Sequence, residues 1–131
     1  MGWHRRTDYL VDVTAFHRAF ELPAPESPIG RVEPGVRRSR EELMREELDE
    51  LIEAMRVEDV VEIADGLADL LYVVFGTAVA YGIPMDGVFR EVHRSNMTKL
   101  GPDGKPVVGE YGKRLKGPHY DPPRLRPLLE P

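Results

Sequence analysis

The chain has 131 residues, 31% charged and 41% apolar, with a formal net charge of −5 at pH 7 and no cysteine. This composition describes one domain spanning 1–131 that can bury a core, and the missing cysteines exclude disulfides and thiolate metal sites. It fits a cytoplasmic protein: Met1–Arg6 has no apolar stretch after its bases, so no leader is expected, and Asp65 and Asp69 interrupt the best apolar run, so no membrane span is expected.

In chain order, a first helix is expected from Thr7 or Asp8 to about Glu21, because Tyr9, Val13, Phe16 and Phe20 follow a three-four spacing. Pro23 stops it. Residues 22–38 hold Pro23, Pro25, Pro28, Pro34, Gly30 and Gly35 and read as an ordered loop. Ser39 and Glu42 spell a capping box that would open a second helix running to about Arg56. Glu58 or Asp59 starts a third, ending near Gly82. It is apolar almost all round and therefore reads as buried. Pro84 begins a fourth, with Val88, Phe89, Val92 and Asn96 on one face, fading before Gly101. Beyond it glycine and proline return in an irregular basic tail, 101–131, with a short hairpin possible between 105 and 112. The expected fold is all-α, a four-helix bundle. The third helix is too apolar for its short neighbours to cover, which points to a homo-oligomer, either a dimer or a dimer of dimers.

Charge is unevenly placed. Twelve acids and two bases fall between Glu41 and Asp69, whereas Lys99, Lys105, Lys113, Arg114 and Lys116 face only Asp103 and Glu110 in 99–116. An acidic centre repels phosphate backbones, so nucleic acid is a poor partner. Steps of three and seven put Glu62, Asp65 and Asp69 on one face of the third helix. A carboxylate in an apolar helix needs a compensating cation. On the second helix Glu46, Glu47 and Glu50 lie within about 100° of arc. The short link Val57–Asp59 forces an antiparallel hairpin that brings Glu47 and Glu50 against Glu62, Asp65 and Asp69. Hard oxygen donors without Cys or His point to Mg²⁺ or Mn²⁺. None of the four histidines follows a Glu by three, which argues against a di-iron carboxylate site.

The string Glu46-Glu47-Leu48-Asp49-Glu50-Leu51, followed by Glu62-x-x-Asp65-Gly66-Leu67-Ala68-Asp69-Leu70-Leu71-Tyr72, resembles the MazG-like all-α nucleoside triphosphate pyrophosphatases. His93-Arg94-Ser95-Asn96-Met97-Thr98-Lys99, then Asp103-Gly104-Lys105 and Lys113-x-x-Lys116-Gly117-Pro118, is similar to its phosphoribosyl-ATP-pyrophosphohydrolase-like branch, which includes a deinococcal dUTP-hydrolysing protein. The resemblance covers Phe16 to Tyr120. Glu62-x-x-Asp65 spells the family's second acidic pair, yet members often place the Asp immediately before the paired leucines, where this chain has Asp69. The choice between Glu62 and Asp69 as companion to Asp65 stays open.

The resemblance implies hydrolysis of a nucleoside triphosphate between its α- and β-phosphates, dUTP first among the substrates. It implies two or three Mg²⁺ or Mn²⁺ ions held by Glu47, Glu50, Glu62, Asp65 and Asp69. Glu46 or Glu47 would activate the water, and Asn96, Lys99, Lys113 and Lys116 would bind the substrate. Two alternatives stand beside it: phosphoribosyl-ATP hydrolysis, and a non-catalytic helical dimer that binds metal or a partner.

Overall fold

A computed structural model describes residues 8–130. The expectations for Met1–Arg6, and for Thr7 as a helix start, lie outside them. Contacts divide the chain into two compact units, separated between Ile83 and Pro84.

The first unit holds three helices. Helix α1, Tyr9–Ala19, is capped by Asp8, whose carboxylate accepts the Val11 amide at 3.1 Å. Helix α2, Pro34–Arg56, has its N-cap at Glu33, six residues before the Ser39 of the capping-box signal. Pro34 occupies the first turn, where its missing N–H is no loss and its fixed φ suits a helix, so Ser39 falls inside the helix instead of capping it. Helix α3, Val60–Ala80, starts at the expected Asp59, whose side chain accepts the amides of Val61 and Glu62 at 2.9 and 3.3 Å.

Helix α3 packs along both α1 and α2. The α2–α3 pair is antiparallel, since Arg40 meets Val73 and Thr77 while Leu51 meets Gly66. Gly66 permits that approach: a Cβ there would sit 3.2 Å from the Leu51 Cα. At the far end Gly82 adopts φ +67°, and its amide and that of Ile83 bond to Val79 and Ala78 carbonyls, closing the helix. The buried core comprises Val13, Ala78, Val79 and Ala80 toward that end, with Leu51, beside Gly66, and Ala54 on α2.

The expectation that α3 is buried throughout needs correcting. Val60 and Val61 are 75% and 70% exposed, and Leu67, Leu71 and Tyr72 are also open to solvent. By length and composition alone α3 is also apolar enough to cross a membrane, so Asp65 and Asp69 do not by themselves rule that out, as the sequence reading held. Its packing along α1 and α2 gives it the role of a core helix in the first unit.

The second unit contains α4 (Met85–Met97), a two-stranded antiparallel sheet of β1 (Val107–Val108) and β2 (Arg114–Leu115), and a short α5 (Arg126–Leu129). On α4 the buried residue is Ser95, not its neighbour Asn96, and Phe89 is exposed. The Ser95 hydroxyl donates to the Asp121 carbonyl at 2.7 Å, and the Asp121 amide donates to Thr98 Oγ1 at 2.8 Å. Arg94 bridges Glu91 and Asp121 at 2.7 and 3.0 Å, tying the tail to α4. The hairpin tip turns through Tyr111 and Gly112, both at positive φ, and Tyr111 is fully exposed. The described architecture is all-α, with four long helices and a minimal sheet.

Candidate active site

Helices α2 and α3 bring one set of carboxylates together around Glu47. Its side chain is half-buried, and its Oε2 is fully buried with no hydrogen-bond partner. Burial pushes the Glu47 carboxyl above its ordinary range, and the charges of Glu50, Asp69 and Glu46 push it further. These four acids form the group that the geometry assembles.

Asp69 joins it for a reason readable from the helix. Gly66 marks the closest approach to α2, and Asp69 follows three residues later on the same face. Asp65 shares that face with Asp69 but lies a turn nearer the helix start, and it is exposed. Glu62 is exposed in the first turn, and neither it nor Asp65 is among the charges acting on Glu47. Of the residues expected from sequence, Glu46, Glu50 and Asp69 act by charge on Glu47, whereas Glu62 and Asp65 are exposed on α3.

The donor set is all hard oxygen, and an orphaned buried carboxylate oxygen is the atom a cation would satisfy. Among the described residues, however, no three His, Asp or Glu side chains close to ligating geometry. The cluster has the chemistry for a divalent metal without a finished cage.

Aromatic residues border this cluster. Phe16 stacks on Phe20 at 4.3 Å and meets Tyr72 edge-on at 5.5 Å. All three are exposed, although Phe16 and Phe20 fall on the apolar spacing that predicts the first helix. Tyr72 lies three residues after Asp69, on the same face of α3. The i+3 step from acid to aromatic is readable in the sequence.

In the second unit the basic residues separate. Lys116 Nζ lies 4.6 Å from the Tyr120 ring centre and Lys99 Nζ lies 6.0 Å from it. The Gly117 amide donates to the Lys99 carbonyl at 2.8 Å, which fixes the two segments side by side. Lys113 and Asn96 are exposed and stand outside this pair. Neither Lys99 nor Lys116 has an acidic partner among the described residues. Tyr120, given no role from sequence, is the residue that organises them.

Fold and site together define the class: an all-α protein built on an antiparallel hairpin with carboxylates on its facing sides, the MazG-like pyrophosphohydrolase arrangement. The sequence profile of the phosphoribosyl-ATP pyrophosphohydrolase family matches residues 13–96. The chain belongs to that family. It is similar along 96% of its length to a crystal structure from Exiguobacterium sp. 255-15 provisionally assigned as an NTP pyrophosphohydrolase, with 28% identity, 94% of that chain covered and a TM-score of 0.50. It is also 34% identical over 85 residues to an uncharacterized protein of Acanthamoeba polyphaga mimivirus, covering 63% of this chain. It spans 34% of that relative's length.

Proposed function

We propose that the chain is a metal-dependent nucleoside triphosphate pyrophosphohydrolase that cleaves the α–β phosphate bond to release a monophosphate and pyrophosphate, with dUTP its preferred substrate. The observation that carries this reading is Glu47, a half-buried carboxylate crowded by Glu50, Asp69 and Glu46 and left with an unpartnered buried oxygen. Three carboxylates pressed against a fourth raise the energy of the empty cluster, and a bound cation relieves it.

Glu47, Glu50 and Asp69 would hold Mg²⁺ or Mn²⁺, with Asp65 and Glu62 as outer candidates. The bound ion's contribution is charge neutralisation on the triphosphate and a more acidic water. Glu46, exposed on α2, would orient a water for attack at phosphorus and accept its proton. Phe16, Phe20 and Tyr72 offer apolar surface to the base. For Asn96, Lys99, Lys113 and Lys116, in the second unit, the substrate-binding role is kept from the sequence pattern. The open face of α3 at Val60, Val61 and Leu67 is where a second copy would pack.

Phosphoribosyl-ATP is the second reading, favoured by the family that matches residues 13–96. Pyrophosphate release from dUTP, other dNTPs, NTPs and phosphoribosyl-ATP, with Mg²⁺, Mn²⁺ or EDTA, tests both. Turnover that needs metal and concentrates on dUTP is expected. Turnover confined to phosphoribosyl-ATP selects the second reading, and turnover unaffected by EDTA ends both.

A further inference from the structure

Away from the acids, a cavity of about 260 Å³ lies in the first unit where α1, α2 and α3 meet the 22–33 segment. Its wall includes His17, Pro23, Gly35, Val36, Ser39 and Arg40. Arg40 is the unusual member. It is only 9% exposed, its Nε donates to Thr77 Oγ1 at 3.2 Å and its Nη2 to the Val73 carbonyl at 2.9 Å. No carboxylate lies within ion-pairing distance of it among the described residues. Nη1 has no protein acceptor among the described residues, and Arg40 is part of the cavity wall. A desolvated guanidinium without a counter-charge is costly to keep.

Other donors point the same way. Helix α2 begins at this cavity, and its N-cap Glu33 makes no capping bond. The first-turn amides of Gly35 and Val36 have no acceptor among the described residues. Those amides and the helix dipole favour an anion there. Ser39 adds a hydroxyl with no protein partner among the described residues. His17, 2% exposed, is fixed by its Nδ1 donating to the Pro23 carbonyl at 2.8 Å and forms a rigid wall beside Arg40. The one acid on the wall, Glu33, is exposed and unpaired with Arg40.

We propose that this cavity is a phosphate-binding site, held by the Arg40 guanidinium, the Ser39 hydroxyl and the Gly35 and Val36 amides. The phosphate is either free inorganic phosphate or the second phosphorylated end of a substrate. Arg40 and Glu47 are seven residues apart on one face of α2, about 10 Å along the helix axis. A substrate phosphorylated at both ends would span that distance; this arm alone rests on the proposed function.

The test is titration of the metal-free protein with inorganic phosphate at constant ionic strength, read by calorimetry and by Tm. Wild type should show saturable binding, and Glu33→Gln should bind several-fold more tightly. Ser39→Asp, at a tolerant exposed helix position, puts a carboxylate on the cavity wall and should weaken binding roughly tenfold or more. Arg40→Gln should do the same where it folds. Absence of saturable binding in wild type, or equal binding in Ser39→Asp, overturns the proposal. A rise in KM for phosphoribosyl-ATP but not dUTP in Ser39→Asp assigns the site to the substrate's second phosphate. An unchanged KM for both, with phosphate binding lost, assigns it to free phosphate. If wild type binds phosphate yet turns over no nucleotide, the proposed function fails and this site stands.

Discussion

Replacing Glu47 with Gln keeps the shape of the side chain and removes one negative charge from a group that already contains Glu50, Asp69 and Glu46. In the metal-free chain the wild-type carboxyl is penalised by burial and by those three neighbours, and its Oε2 lacks a partner. A buried polar group without a hydrogen bond costs about 1–3 kcal/mol. A Gln amide can donate to Glu50 or Asp69, so recovering part of that penalty should stabilise the variant by about 1 kcal/mol, or about 4 °C in Tm for a domain of this size. The sign with pH follows from the raised carboxyl. Its contribution to stability is full below the unfolded value of 4.5 and is lost as pH rises through the higher folded value. The gap between Glu47→Gln and wild type should therefore be small at acid pH and widest near neutrality. Thermal melts in EDTA from pH 4 to pH 8 measure it directly. Catalysis should move oppositely, with kcat down by roughly a hundredfold or more. A variant that melts at or below wild type near neutral pH would refute the crowded, unpartnered carboxylate and the metal reading built on it.

Four further outcomes are expected. Asp69→Asn should abolish pyrophosphate release while Glu62→Gln leaves most of it, because only Asp69 reaches Glu47; equal losses would restore the Glu62 register. Gly82→Ala should destabilise by about 2–4 kcal/mol, since φ is +67° and the new methyl would drive into the Ser27 carbonyl, as a denaturant titration would show. Glu91 is held down to about 2 by its bond to Arg94 and by the Arg124 amide, so its stabilisation is present above 4.5 and lost as pH falls toward 2. Glu91→Gln should flatten acid unfolding of the second unit across that window, read by circular dichroism. Leu67→Glu, on the exposed face of α3, should yield monomers in sedimentation if that face joins two copies.

Much of the architecture was legible because periodicity and punctuation are local. Asp8 and Asp59 announce helix starts, Gly82 an end, and the short link after Arg56 an antiparallel hairpin. The start of α2 was misplaced because two signals conflict: Ser39 and Glu42 spell a cap, yet Pro34 at the first turn starts a helix equally well and does so first. Within the candidate site, residue type nominates Glu46, Glu47 and Glu50, whereas which acid of α3 accompanies them depends on where the helices touch. Gly66 decides that, and its contact with Leu51 is a tertiary fact no spacing contains. Tyr120 and Arg40 escaped notice for the same reason. Their partners, Lys99 and Lys116 for one and Val73 and Thr77 for the other, include residues far away in sequence. Exposure of α3 was misjudged because an apolar helix implies a cover but not that the same chain provides it.

The hairpin tip at Tyr111 offers a practical handle. A fully exposed aromatic in a left-handed turn, closed by only two residue pairs, presents its peptide bond to a chymotrypsin-like protease. A single cut there would separate β1 from β2 and place Lys99 and Lys116 on different fragments. The Gly117–Lys99 hydrogen bond and the Asp121 contacts with Ser95 and Thr98 would still hold the fragments together. The nicked protein becomes a way to ask how much of nucleotide handling depends on an unbroken loop, without changing one side chain.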